Sequence, residues 1–192
     1  MYTDDNNTSF MEGRGCNDWW AALEPYYKDR ALLCCPMAAD PDKYPWEGYG
    51  NFGTWGPDWF PDGFYGSYGI NEWLCNPVSG CDGFDYMPSY YWRNTQVANS
   101  DQIPMLFGAW WDQAWAEYYD WIPDYPGQFE GVGFDDMAHF CINRHNGGIN
   151  GVFLDSSVRK VFIKELWNLR WHRKYDITKP PPNWPDWVED LN

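Results

Sequence analysis

The chain has 192 residues, enough for one domain with its own core, and carries a formal charge of −15. A molecule this acidic repels phosphate backbones and anionic lipid surfaces, so no nucleic-acid partner is expected. No run of about 18 apolar residues occurs, nor a basic segment leading into an apolar stretch, so neither a membrane span nor a signal peptide is expected within these residues.

The charge is uneven. Residues 159–179 hold seven of the 13 basic residues and only Glu165 and Asp176 as acids, a net of +5 against −20 elsewhere. Such a segment either docks head to tail on an acidic neighbour or neutralises its own helix end and internal acids. Aromatic residues make up 21% of the chain while Gly and Pro are abundant, so the rings are expected to fill long loops in place of aliphatic side chains.

Six cysteines without a C-x2-C pair, two of them adjacent at Cys34 and Cys35, favour disulfides over structural zinc. Cys75 and Cys81, with Pro77 and Gly80 bending the chain between them, are the expected local bridge. Cys16, Cys34, Cys35 and Cys141 have no assignable partners.

In chain order, Asn17 and Asp18 ahead of Trp19, Trp20 and Leu23 predict an N-capped helix that ends near residues 25–28. Residues 35–64, dense in Pro, Gly, Asp and Trp, predict a long loop packed by its own rings. A strand is predicted over residues 66–73 and another over 103–110, with turns at 75–83 between them. Trp111, Trp115, Tyr118 and Ile122 have helical spacing, although a loop fits equally, and 124–136 is a further loop. Asn146, Gly147 and Gly148 tolerate positive φ, and the runs 148–154 and 158–163 flank the Asp155-Ser156-Ser157 corner. That pattern predicts an antiparallel hairpin. Leu166, Trp167, Arg170 and Trp171 predict a helix over 164–172, and the proline-rich residues 178–192 an extended tail.

His145 and Asp155 are the one pair that could serve as a base and its orienter, but no nucleophile stands in a G-x-S-x-G setting. The pair is therefore expected to be a hydrogen bond that fixes the fold, with His139 and His172 as packing or surface residues. Asp58, Asp62, Asp112 and Glu117 are candidates for paired glycosidase acids and are expected to be solvated loop acids or caps. Asp82, Asp85, Asp135 and Asp136 lie in flexible acidic stretches of the kind that suits calcium, although neither stretch matches a twelve-residue EF-hand loop.

His145, nine residues, then Asp155 resembles the signature of prepilin-type proteins with a His-x9-Asp-Gly domain, relatives of the type II secretion pseudopilins. Lys164-Glu165-Leu166-Trp167, Trp171-His172-Arg173, residues 20–36, 67–71 and 103–110 are similar to that family's blocks in the same order, so the likeness spans most of the chain. It departs in two places: Ser156 stands where the family has Gly, and Met1-Tyr2-Thr3-Asp4-Asp5 stands where the family has a basic leader, a cleavage site and a long apolar helix. The chain is accordingly expected to be a single globular head, residues 1–192, with 1–15 as the exit of that helix.

The resemblance implies an α+β, pilin-like head with a small antiparallel sheet, short helices and long aromatic-rich loops. It implies a non-enzymatic, periplasmic or extracellular subunit whose partners are other pilin-like subunits or secretion apparatus proteins, with calcium as the only ligand it raises. The loops 40–64 and 112–130 are the expected partner-facing surface. The alternative is a secreted carbohydrate-binding or glycan-degrading module that stacks sugars on Trp46, Trp55, Trp59 and Tyr65. An adhesin-like surface domain is a third reading, differing from the first only in lacking the assembly helix.

Overall fold

The computed structural model describes residues 2–11, 19–38, 50–56, 63–76, 87–128, 136–180 and 183–191. Period-two alternation along residues 148–162 builds the sheet. Ile149 and Val161 face each other, both buried, while their neighbours Asn150 and Lys160 pair on the opposite side. Around this hairpin, β1 (Tyr68–Asn71), β2 (Pro104–Gly108), β3 (Gln113–Ala114), β4 (Gly148–Phe153) and β5 (Val158–Phe162) form one sheet in the order β3-β1-β2-β4-β5. It is antiparallel except for the β1–β3 pair. The molecule is thus α+β, and the four expected strands form with slightly narrower limits.

The fifth strand replaces the helical alternative for residues 111–122. Ile70 N–H donates to Asp112 O at 2.8 Å, Glu72 N–H to Ala114 O at 3.0 Å, and the Trp19 indole to Asp112 O at 2.9 Å. These long-range bonds hold the segment extended and override a ring spacing that by itself allowed a helix.

Helices are short. Among the described residues they comprise α1 (Tyr2–Asp5), α2 (Trp19–Tyr27), where the first expected helix lies, and α3 (Asp186–Glu189). Residues 164–172 are not an α-helix: Ile163–Asn168 is a 3-10 turn, and Arg170 N–H leaves it to bond Gln102 O at 2.9 Å. Nor is the proline-rich end wholly extended, because α3 buries Val188 completely and the Trp187 indole donates to Pro123 O at 2.7 Å.

One sheet face is packed by rings. Phe107 makes edge contacts with Phe140, Phe153 and Trp171 at 6.0, 5.3 and 5.6 Å between centroids, and Phe140 stacks on Trp171 at 4.9 Å. A Cβ on Gly151 would lie 2.2 Å from the Phe107 ring, so the strand needs glycine there. Asn71, buried at the end of β1, joins the layers by donating to Pro104 O and Trp171 O at 3.0 and 2.9 Å.

Candidate functional site

The segment ahead of β4 is anchored by Arg144, a residue whose role nothing in the local sequence announced. Its buried guanidinium donates to Asn51 O, Ser67 O, Gly53 O and Ala109 O at 2.9, 2.9, 2.7 and 3.3 Å. Four carbonyls from three remote segments therefore converge on one cation. Asn143 accepts from Gly147 N–H, and Asn146 and Gly147 both take positive φ, 51° and 86°, as the Asn-Gly-Gly run predicts. Gly148 is required for another reason: a Cβ there would sit 2.3 Å from Val161 O.

His145 and Asp155 are not partners. Six residues of β4 separate the turn at one end from the corner at the other, a span of roughly 20 Å at the usual strand rise. The His145 imidazole meets Cys35 Sγ and Asn150 Nδ2 at its Nε2, each at 3.3 Å. Burial, with the nearby Arg144 and Lys160 cations, lowers its pKa. Asp155 is exposed, and hydrogen bonds from the Ser157 side chain and from the Ser157 N–H, the latter at 2.9 Å, hold its carboxyl below the ordinary range. Ser156 N–H bonds Phe153 O, Phe153 N–H bonds Ser157 O, and Ser156 has φ of 69°. The corner is therefore a turn closed by a left-handed residue, the position that glycine suits best.

His139 and His172 are both interior residues. His139 bonds Gln113 O at 2.8 Å and packs edge-on against Trp110, and burial lowers its pKa to about 4. His172 lies 3.0 Å from Glu117, stacked on Tyr90 and in tilted contact with Trp73. Glu117 and Asp112 are thus not solvated loop acids, since Asp112 is buried and Glu117 is committed to His172. Glu72, which the sequence did not single out, is completely enclosed. Burial, with Cys75, Asp112 and Asp136 nearby, pushes its carboxyl well above the usual range. This buried acid belongs to the core.

Of the calcium candidates, Asp136 begins the 3-10 turn Asp136–Phe140 and accepts from Trp115 N–H at 2.9 Å. Asp82, Asp85 and Asp135 lie outside the described residues. Among the described residues no three His, Cys, Asp or Glu side chains are arranged to hold a metal. Of the sugar-stacking candidates, Trp55 is 1% exposed, with Trp19 and Trp20 against its ring, so it is core and presents no face to a glycan. Tyr65 is half-buried, while Trp46 and Trp59, like Asp58 and Asp62, lie outside the described residues. Cys34, Cys35, Cys75 and Cys141 are thiols. The expected Cys75 bridge is not formed, because Cys75 is fully buried as a thiol; Cys81 lies outside the described residues.

The sheet face opposite the ring-packed one is open. Ile70, Leu106, Val152 and Val158 floor an apolar groove of about 720 Å³, walled by Leu23 of α2 and Leu32 of the 3-10 turn Arg30–Leu33. It reaches the edge strand β5, where Val158 is 69% exposed and Phe162 41%. Of the basic residues of segment 159–179, Arg159 and Lys160 line it. Among the described residues Arg159, Lys160, Lys164, Arg170 and Lys179 contact carbonyls or rings, and none forms an ion pair. No described helix is long and apolar enough to cross a membrane.

The chain matches no protein-family model, no curated protein and no solved structure.

Proposed function

We propose that this chain is the globular head of a pseudopilin-like subunit in a type II secretion or type IV pilus-like envelope filament, acting outside the inner membrane by assembly and surface contact rather than by chemistry. The observation that carries the reading is the apolar groove on the open sheet face, continuous with the exposed edge of β5. An apolar surface of that extent beside an unpaired strand edge is what a subunit leaves for a neighbour. The likeness of residues 141–175 to the His-x9-Asp-Gly signature supports it, as does the basic segment 159–179 on an otherwise acidic molecule. Pilin-like subunits or secretion apparatus proteins are the corresponding partners.

Fractionation of the native organism tests this. Shearing cells and pelleting surface filaments should bring the protein down with them, as detected by peptide mass spectrometry. Recovery solely as a monomer in the culture supernatant or in the cytosol would end the proposal.

A further inference from the structure

Four thiols are described, and their surroundings divide them. Cys75 and Cys141 are sealed in the core, and burial, aided by Asp120, drives the Cys141 thiol strongly upward and keeps it inert. Cys34 and Cys35 are adjacent in sequence, directly after the 3-10 turn Arg30–Leu33, with Cys34 the more accessible of the two. Cys35 Sγ lies 3.3 Å from His145 Nε2, and Asn150 Nδ2 approaches the same nitrogen at 3.3 Å. Asn150 Nδ2 is a donor, so in the tautomer that carries its proton on Nδ1 the His145 ring offers the Nε2 lone pair to Asn150 and to the Cys35 thiol. The lowered pKa of His145 keeps that lone pair available at neutral pH.

We propose that Cys34 and Cys35 form a redox-active dithiol, with His145 as the proton acceptor for Cys35, which small-molecule disulfides oxidise to a vicinal disulfide. In the first step the Cys34 thiolate attacks one sulfur of the disulfide. A Cys34 mixed disulfide forms, the original S–S bond breaks, and the released thiolate takes up the proton that Cys34 lost. In the second step Cys35 passes its proton to His145 Nε2 and attacks the Cys34 sulfur. The Cys34–Cys35 bond forms and the second thiolate departs with the proton returned by His145. Two thiols and one disulfide thus become one protein disulfide and two small thiols. The ring closes at the root of the groove wall, since Leu32 and Leu33, just ahead of the pair, line the groove. The proposal does not depend on the assembly reading.

The test is a time course of the reduced full chain with oxidised glutathione, followed by intact mass and non-reducing peptide mapping. The expected sequence is a transient adduct of one glutathione on Cys34, then a species two hydrogens lighter than the start with Cys34 and Cys35 linked. Cys35→Ser should stop at the adduct. His145→Asn should form the adduct at the normal rate and close the ring roughly 10-fold or more slowly, the effect of losing a positioned base. The wild-type course decides the pairing even if a variant misfolds. A persistent wild-type adduct, a bond from Cys34 to Cys16 or Cys81, no oxidation, or undiminished closure in His145→Asn would each overturn the proposal.

Discussion

The two faces of the sheet are made by alternate residues of the same strands, yet they do different things. On one, Phe107, Ile149, Phe153 and Val161 are at most 1% exposed and are locked by Phe140 and Trp171. On the other, Leu106, Val152 and Val158 occupy the intervening positions and floor an open groove. One-residue alternation lets a strand supply stability on one side and a surface on the other. Substitutions on the first face should therefore unfold the protein, and those on the second should alter what it binds.

The largest effect should come from Trp171→Ala. Its ring is fully buried against Phe107 and Phe140, its indole donates to Leu166 O at 2.7 Å, and its carbonyl accepts from Asn71 and Trp92. Removal should cost about 3–5 kcal/mol by urea denaturation. A loss below about 1 kcal/mol would show that the ring layer is not the stability core.

Acid should act next, again through the packed face. His139 precedes Phe140 and is partly buried and neutral, with its folded pKa lowered to about 4 against 6.5 in the unfolded chain. Because the unfolded chain binds the proton first, the stability linked to His139 is complete above pH 6.5, is lost as pH falls towards 4, and reaches its floor below that value. The drop should be about 3 kcal/mol, seen as a falling urea midpoint, and His139→Gln should flatten it. Glu72 works in the opposite sense. Its raised pKa makes its contribution greatest below the ordinary carboxylate pKa and lost as pH rises through the folded value, so Glu72→Gln should raise stability at pH 8 more than at pH 4.

The hairpin corner allows a smaller and cleaner test. Ser156 is held at φ of 69°, where a Cβ costs about 1 kcal/mol, and its side chain is exposed. Ser156→Gly should raise stability by up to that amount, less the added freedom of the unfolded chain. Here the sequence was informative, because a turn between two alternating runs demands such a residue. The hairpin and the strands at 68–71 and 104–108 were legible for the same reason: period and punctuation are local. What was not legible is long-range. β3 is two residues long and is defined by bonds from β1. Arg144 is explained by carbonyls at residues 51, 53, 67 and 109, and His145 by a cysteine from the other half of the chain rather than by the aspartate of its own motif. The spacing of the His-x9-Asp signature measures one strand, with a structural residue at either end, and its chemistry lies across the sheet.

The smallest effect on stability should come from Val158→Lys, and it separates the faces most sharply. Val158 is 69% exposed on the edge strand and lines the groove, so its replacement should shift stability by no more than about 0.5 kcal/mol. A charge at that position nevertheless opposes any apolar neighbour seated in the groove, and it adds to the basic edge already formed by Arg159 and Lys160. If the open face is an assembly surface, the variant should fold normally by circular dichroism yet be depleted from sheared surface filaments. Equal recovery of variant and wild type would place the contact elsewhere on the molecule. A folding defect would instead mean that the groove floor belongs to the core, and the division between the two faces would fail.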